Sequence, residues 1–281
     1  HLSRVRQAQV IGADPGKREL LVCVDVDGTP DLPSFGYKKA PSVRYTSAQR
    51  RWETKTTLHA ANQADELPET LKAANAALAQ HSSRSSRLET LSAYFRCRRQ
   101  TLPEALDHFA DVTHRRRAWT RYVSGQRSLT DFVRRIKSLV RGEDAVLAYG
   151  SWASVAGRPG MACNRGCPPC IGVGLRQKLS KHFVVVSTPE QYTSKICSAC
   201  GGLCGPCAEV DQVHRSRRLE AATTPEETLR ASHFSVRGLR RCHNAHCALF
   251  HNRDFNAATN IGVRCKSLLQ TGRDVLPSYE D

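Results

Sequence analysis

Four cysteines in two spaced pairs dictate how one stretch of this sequence has to fold. Cys197-Ser-Ala-Cys200 and Cys242-His-Asn-Ala-His-Cys247 bracket a segment rich in cysteine and glycine and poor in core-forming side chains. A segment of that composition cannot offset its own conformational entropy by apolar burial. Four thiolates closing on one tetrahedral Zn2+ supply the missing stability, and a site with all four positions filled is structural rather than catalytic. The second pair has four intervening residues instead of two, which leaves His243 or His246 as substitute ligands. Cys204-Gly-Pro-Cys207 has three readings: it replaces one of the pairs, it joins Cys163, Cys167 and Cys170 in a second site, or it binds nothing. The chain holds 12 cysteines, and no apolar signal segment opens the sequence at His1–Arg6. Pairs of this kind then read as metal ligands, not disulfides.

Charge narrows the partner. Lys and Arg number 42 against 26 Asp and Glu, a formal +16. A field of that sign and size draws in polyanions, nucleic acid foremost, although a basic surface kept for solubility has the same composition. Arginines cluster at Arg96, Arg98 and Arg99, at Arg115–Arg117 and at Arg134–Arg135. Such clusters favour phosphate contact over a merely solvated helix face. No run approaches the roughly 18 apolar residues that a membrane-spanning helix needs, so no membrane partner is expected.

Hydrophobic periodicity gives the order of elements. Val10–Ala13 and Leu20–Val26 read as strands around an Asp-Pro-Gly turn at 14–16, and Asp27-Gly28 signals a hairpin with a third strand near Ser34–Tyr37. From about Thr46 to Arg141 the pattern is helical. Leu67, Leu71, Ala74 and Leu78 recur at helix spacing, and Ser128 with Asp131 opens a helix carrying Phe132, Val133, Ile136 and Val140. A strand at Ala145–Tyr149, a short basic helix at Leu175–His182, a strand at Phe183–Val186 and a last helix from Asp254 to about Leu269 follow. That succession implies one α/β layered fold.

Three acids stand at the ends of these elements. Asp14 closes the first strand, Glu190 follows the strand at 183–186, and Asp254 opens the last helix. Any one of them alone reads as a cap or turn residue. Three together invite a second reading, because hard oxygen ligands are what Mg2+ requires. Two such ions about 4 Å apart activate a water and stabilise the leaving oxygen of a phosphodiester.

The motifs around these residues resemble a known family. Thr193-Ser-Lys-Ile-Cys-Ser-Ala-Cys-Gly, the second cysteine pair and Asn252-Arg-Asp-Phe-Asn-Ala-Ala-Thr-Asn-Ile resemble the C-terminal signature of the TnpB superfamily. Gly12-Ala-Asp-Pro-Gly-Lys resembles its first RuvC motif. Within the superfamily the chain is most similar to the Fanzor proteins, the eukaryotic branch. Tyr45-Thr-Ser-Ala-Gln-Arg carries that likeness, as does Pro168-Pro169 followed by Gly174-Leu-Arg-Gln-Lys-Leu-Ser-Lys. The place of the glutamate carries it further. In TnpB the second motif's glutamate ends the fourth core strand, where this chain has Ala148-Tyr-Gly-Ser-Trp152 and no acid. Glu190, just before Thr193, matches the relocated position of many Fanzors. Glu143 and Asp144 are its rivals, but they precede the strand and stand at its wrong end.

The resemblance implies an RNase H-like (RuvC) mixed sheet with flanking helices, a helical insertion and an inserted zinc ribbon. The nuclease core is expected over 1–195, with the insertion at about 46–141. A zinc ribbon of the target-nucleic-acid-binding type follows at 196–250, and the end of the core with its tail at 251–281. The activity implied is RNA-guided hydrolysis of DNA phosphodiesters, with a guide RNA and target DNA as partners and residence in the nucleus. Two Mg2+ ions would sit on Asp14, Glu190 and Asp254, and Zn2+ on Cys197, Cys200, Cys242 and Cys247. Arg253 would meet a phosphate or a carboxylate, or simply stay at the surface. Lys195 and the Arg237–Arg241 cluster would touch nucleic acid beside the zinc or simply stay solvated. Family members carry a long guide- and target-binding half ahead of the first RuvC motif, whereas His1–Ile11 precede it here. A piece of a longer chain, or a decayed copy, is the expectation. Two other classes stay in view: a nucleic-acid-binding remnant that no longer cuts, and an RNase H-fold transposase. A zinc ribbon immediately before the last acid counts against the transposase.

Overall fold

The computed structural model describes residues 7–16, 18–27, 40–142, 144–151, 172–232, 234–236 and 238–275. The chain forms two compact units, 1–47 together with 132–281, and 48–131. Its helices are α1 (Ser47–Glu53), α2 (Thr56–Asp65), α3 (Glu69–Ala79), α4 (Leu88–Ala110), α5 (Val112–Lys137), α6 (Gly172–Leu179), α7 (Ala208–Ala221), α8 (Pro225–Ser232) and α9 (Arg253–Thr271). Among the described residues, no helix is long and apolar enough to cross a membrane.

The larger unit is built on five strands: β1 (Gln9–Pro15), β2 (Glu19–Asp25), β3 (Ser42–Thr46), β4 (Ala145–Gly150) and β5 (Val184–Thr188). Their order in the sheet is β3-β2-β1-β4-β5. The first three pair antiparallel, while β4 runs parallel to β1 and β5 parallel to β4. A tight turn suffices for the antiparallel hairpin, whereas each parallel neighbour requires a crossover carrying other elements. The result is an RNase H-like mixed sheet with flanking helices. The segment Ser34–Tyr37 lies outside the described residues, and the strand paired with β2 is β3.

Alternation along the strands sorts the side chains. Val10 of β1, Val146 and Ala148 of β4 and Val186 of β5 pack with Ile261 and Cys265 of α9. Gly12 lies on the same face. A Cβ there would overlap the Ala258 carbonyl and stand 2.8 Å from the Gly262 nitrogen, so β1 and α9 meet backbone to backbone. Elsewhere in the unit, Tyr45 of β3 stacks on Phe132 of α5 with ring centroids 4.7 Å apart. The sequence suggests a helix start at Ser128, but α5 is continuous from Val112. Ser128, which is buried, instead donates its hydroxyl to the half-buried Glu53, and that bond replaces a capping role.

A second, three-stranded sheet follows in the order β6 (Cys204–Pro206), β7 (Leu239–Cys242), β8 (Phe250–Asn252), all antiparallel. Helices α7 and α8 interrupt it between β6 and β7, in a stretch the sequence reading leaves without helices. Polar and cationic side chains tie α7 to the segment after α8, and α8 buries Ala231. Asp211 accepts from the Val236 N–H at 2.7 Å, and the Arg218 guanidinium lies 3.8 Å from the Phe234 ring centroid.

The smaller unit is helical, with α3 packed along α4. Its buried side chains, among the described residues, are Thr54, Leu71 and Ser128. Glu66 and Arg117 form a two-pronged ion pair across it, one arm at 2.6 Å.

Candidate active site and metal centre

Strand register brings two of the three acids to one place. Ala13 of β1 pairs with Tyr149 of β4, and Gly150 pairs with Thr188 of β5. Asp14 is therefore level with Gly150, and Glu190 follows Thr188 by two residues. By period-2 alternation Asp14 and Gly150 share the face that Val10 and Val146 turn to α9, and Glu190 follows in the loop after β5. All three stand at the carboxyl ends of the mutually parallel strands, where open α/β sheets place their ligands. The side chain of Glu190 then folds back over the end of β4. A Cβ built on Gly150 would overlap its carboxylate, 2.6 Å from Cδ and 2.8 Å from Cγ.

Asp254 arrives from the helix. Asn252 caps α9, its Oδ1 accepting from the backbone N–H groups of Asp254 and Phe255 at 3.1 Å each. That cap fixes Asp254 in the first turn, where the helix dipole favours an anion. Asp14, Glu190 and Asp254 are all half-buried. The Asp14 carboxyl is pushed well above its ordinary range, first by burial and then by the negative charges of Glu190 and Asp254. The cation of Arg253 pulls it the other way. Glu190 and Asp254 thus both lie within electrostatic reach of Asp14. Among the described residues their oxygens are not gathered within 4.8 Å as the cysteine sulfurs are. Of the rivals, Asp144 precedes β4 at its opposite end, its carbonyl accepting from the Gln9 N–H at 3.2 Å. Glu143 lies outside the described residues.

The loop carrying Glu190 is tied to α9. Thr193 returns its N–H and its hydroxyl to the Glu190 carbonyl at 3.2 and 2.9 Å. The Thr193 carbonyl in turn accepts from the side-chain amides of Asn256 at 3.2 Å and Asn260 at 2.7 Å. Both amides also reach the Ile196 carbonyl at 2.7 Å, and the Ser198 N–H donates to Asn256 Oδ1 at 2.9 Å. The asparagines of the Asn252–Ile261 motif thus join three things: the glutamate loop, the first cysteine turn and the helix bearing Asp254.

Four sulfurs form the metal centre. Those of Cys197, Cys200, Cys242 and Cys247 lie within 4.8 Å of one another, with Cys197 to Cys247 at 3.7 Å and Cys200 to Cys242 at 3.5 Å. Tetrahedral Zn2+ with bonds near 2.3 Å sets its sulfurs about 3.8 Å apart, so the donor set fits. The first turn is closed by Gly201 N–H to the Cys197 carbonyl at 2.9 Å, with Gly201 at φ 72°. The longer second turn is closed by Asn244, whose carbonyl accepts from Cys247 and Ala248 at 3.0 and 2.8 Å. That wider turn absorbs the extra residues and leaves His243 and His246 outside the ligand set. The histidine beside the centre is His251 on β8, a residue no spacing rule singles out. Its Nε2 stands 3.1 Å from Cys197 Sγ, and burial lowers its pKa, which keeps the ring neutral. With the proton on Nε2 it donates to the thiolate and fixes the ligand's orientation. Cys204 completes a second set with Cys197 and His251. The two sets share Cys197 and so describe one centre. Cys207 is buried and belongs to neither set, while Cys163, Cys167 and Cys170 lie outside the described residues.

With cysteine cluster, capped helix and glutamate loop in place, the comparison with known proteins falls on this part of the chain. Residues 175–261 resemble the Cas12f1-like, TNB domain. That segment contains Glu190, the four cysteines and Asp254, and it leaves Asp14 on β1 outside. No curated protein matches the chain.

Proposed function

We propose that the chain is a metal-dependent endonuclease of the TnpB type, cutting DNA under the direction of a guide RNA. The observation that carries this reading is the seat of Glu190. Its carboxylate occupies the space a side chain at Gly150 would take, beside Asp14 and at the ends of the parallel strands. The Fanzor branch is the narrower reading, supported by an acid that arrives from β5 instead of β4. Three half-buried carboxylates, two of which add to burial in raising the proton affinity of Asp14, fit a seat for hard cations, because a bound cation offsets the negative charge that opposes ionisation of Asp14. Two Mg2+ ions held there by Asp14, Glu190 and Asp254 would supply the Lewis acidity for activating a water and stabilising the departing phosphodiester oxygen.

Asp14, Glu190 and Asp254 hold that cation seat, and no side chain serves as a covalent nucleophile. Arg253 and the net charge of +16 draw the polyanion toward the strand ends. Base pairing with the guide would read sequence, while the protein handles shape and backbone. Through Asn256 and Asn260, α9 ties the first cysteine turn of the ribbon to the glutamate loop. Magnesium-dependent cleavage of target DNA by the guide complex, compared between the native protein and Glu190→Ala, tests the reading. Loss of cleavage in the variant is expected, and normal cutting would remove Glu190 from the mechanism.

A further inference from the structure

Glu190 sits in a loop, not on a strand, and a loop holds a metal ligand poorly unless something fixes it. The residues around it make the difficulty plain. Tyr192, two positions on, has a left-handed backbone at φ 63°, a conformation disfavoured for a side chain of that size. An external clasp is therefore needed, and α9 provides one at Arg264, which is 5% exposed. Its Nη1 donates to the carbonyls of Pro189 at 3.1 Å and Gln191 at 3.0 Å, the residues on either side of Glu190. The other edge of the guanidinium is held by Asp274, with Nε at 2.8 Å from both carboxylate oxygens and Nη2 at 2.6 Å from Oδ2. Both backbone carbonyls flanking the acid are thus gripped by one planar cation, which is itself fixed from behind. On the far side, the bare Cα of Gly150 leaves room for the carboxylate to lie over β4.

We propose that Arg264 is a positioning residue for Glu190: it clasps the loop from α9 and, with the gap at Gly150, sets the carboxylate beside Asp14 to bind a divalent cation. The inference rests on the nuclease reading above and adds the device that makes an acid from β5 usable. A planar guanidinium is required, because an ammonium cannot serve two carbonyls and a carboxylate in one plane.

Mn2+ binding to the 281-residue chain, followed by the electron paramagnetic resonance of the free ion, tests it without any catalytic readout. Arg264→Gln is expected to weaken Mn2+ binding about 10- to 100-fold, the usual effect of losing a residue that orients a ligand. Arg264→Lys should recover part of that loss, and zinc content should stay unchanged in both. Gly150→Ala should weaken Mn2+ binding as well while leaving thermal stability nearly intact, since the atoms it displaces are the mobile end of Glu190. Glu190→Gln separates the two levels of the account. If it weakens Mn2+ binding and folded Arg264→Gln does not, the positioning role is wrong and the nuclease reading stands. If Glu190→Gln leaves Mn2+ binding unchanged, the nuclease reading itself fails. Should Arg264→Gln not fold, Asp274→Asn, which loosens the guanidinium from its outer edge, carries the same expectation and the same refutation.

Discussion

Asp14 is held in a conformation that opposes its own ionisation. Burial and the charges of Glu190 and Asp254 raise its pKa in the folded protein above the ordinary aspartate value. Linkage gives the sign: a group whose folded value is raised contributes stability below its unfolded pKa and loses it as pH rises through the folded value. The metal-free protein should therefore lose stability from acid toward neutral pH on account of this one residue. Asp14→Asn removes the repulsion, so the variant should melt at a higher temperature than the native chain at pH 7 without divalent metal. The difference should shrink on acidification and reverse when Mg2+ is added. Thermal melts across pH, with and without the ion, check all three. A residue stabilised by mutation and required for ligand binding is the usual mark of a functional site.

Among the elements, α9 does the most to assemble the molecule. Its first turn presents Asp254, its middle packs on β1 through Gly12 and Gly262, and its asparagines reach the zinc-bearing turn. Zinc and the acid site should accordingly be coupled. Cys242→Ser is expected to abolish zinc binding, unfold the ribbon and weaken Mn2+ binding, while α9 and the five-stranded sheet persist. Metal analysis, Mn2+ titration and circular dichroism measure these together, and undiminished Mn2+ affinity in the zinc-free variant would break the coupling. The elements carrying these residues are also where the sequence is most legible. Short apolar runs locate β1, β2, β4 and β5, and Asn252 with Asp254 marks the start of α9, because period and capping are local properties. Cysteine spacing names the four ligands for the same reason. His251, Gly150 and Arg264 escape such reading, since their roles depend on neighbours far along the chain. Gly150 did leave a trace as an acid missing from the end of β4, but not the reason for the vacancy. Helix α7 buries Asp211 rather than an apolar stripe and is held by Asp211 and Arg218, so periodicity passes over it, while α8 is only eight residues long.

Taken whole, the molecule is a strongly basic body bearing an acidic site and a cysteine cluster. With a formal +16, its binding to DNA or RNA should be dominated by counterion release. The logarithm of the association constant is expected to fall linearly with the logarithm of salt concentration, with a slope of about −0.9 per phosphate neutralised on duplex DNA. Fluorescence anisotropy over a salt series measures that slope, and a slope near zero would mean that the charge serves solubility alone. The Trp119 and Tyr122 rings of the helical unit are exposed, with ring centroids 5.5 Å apart. The proposed nuclease activity depends on three side chains and the cations they would hold. Anomalous diffraction from crystals of the protein grown with Mn2+ measures that binding directly. The account predicts Mn2+ peaks, about 4 Å apart, contacted by the carboxylates of Asp14, Glu190 and Asp254. Crystals whose only anomalous density lies at the four cysteines, with Glu190 turned away from Gly150, would contradict it.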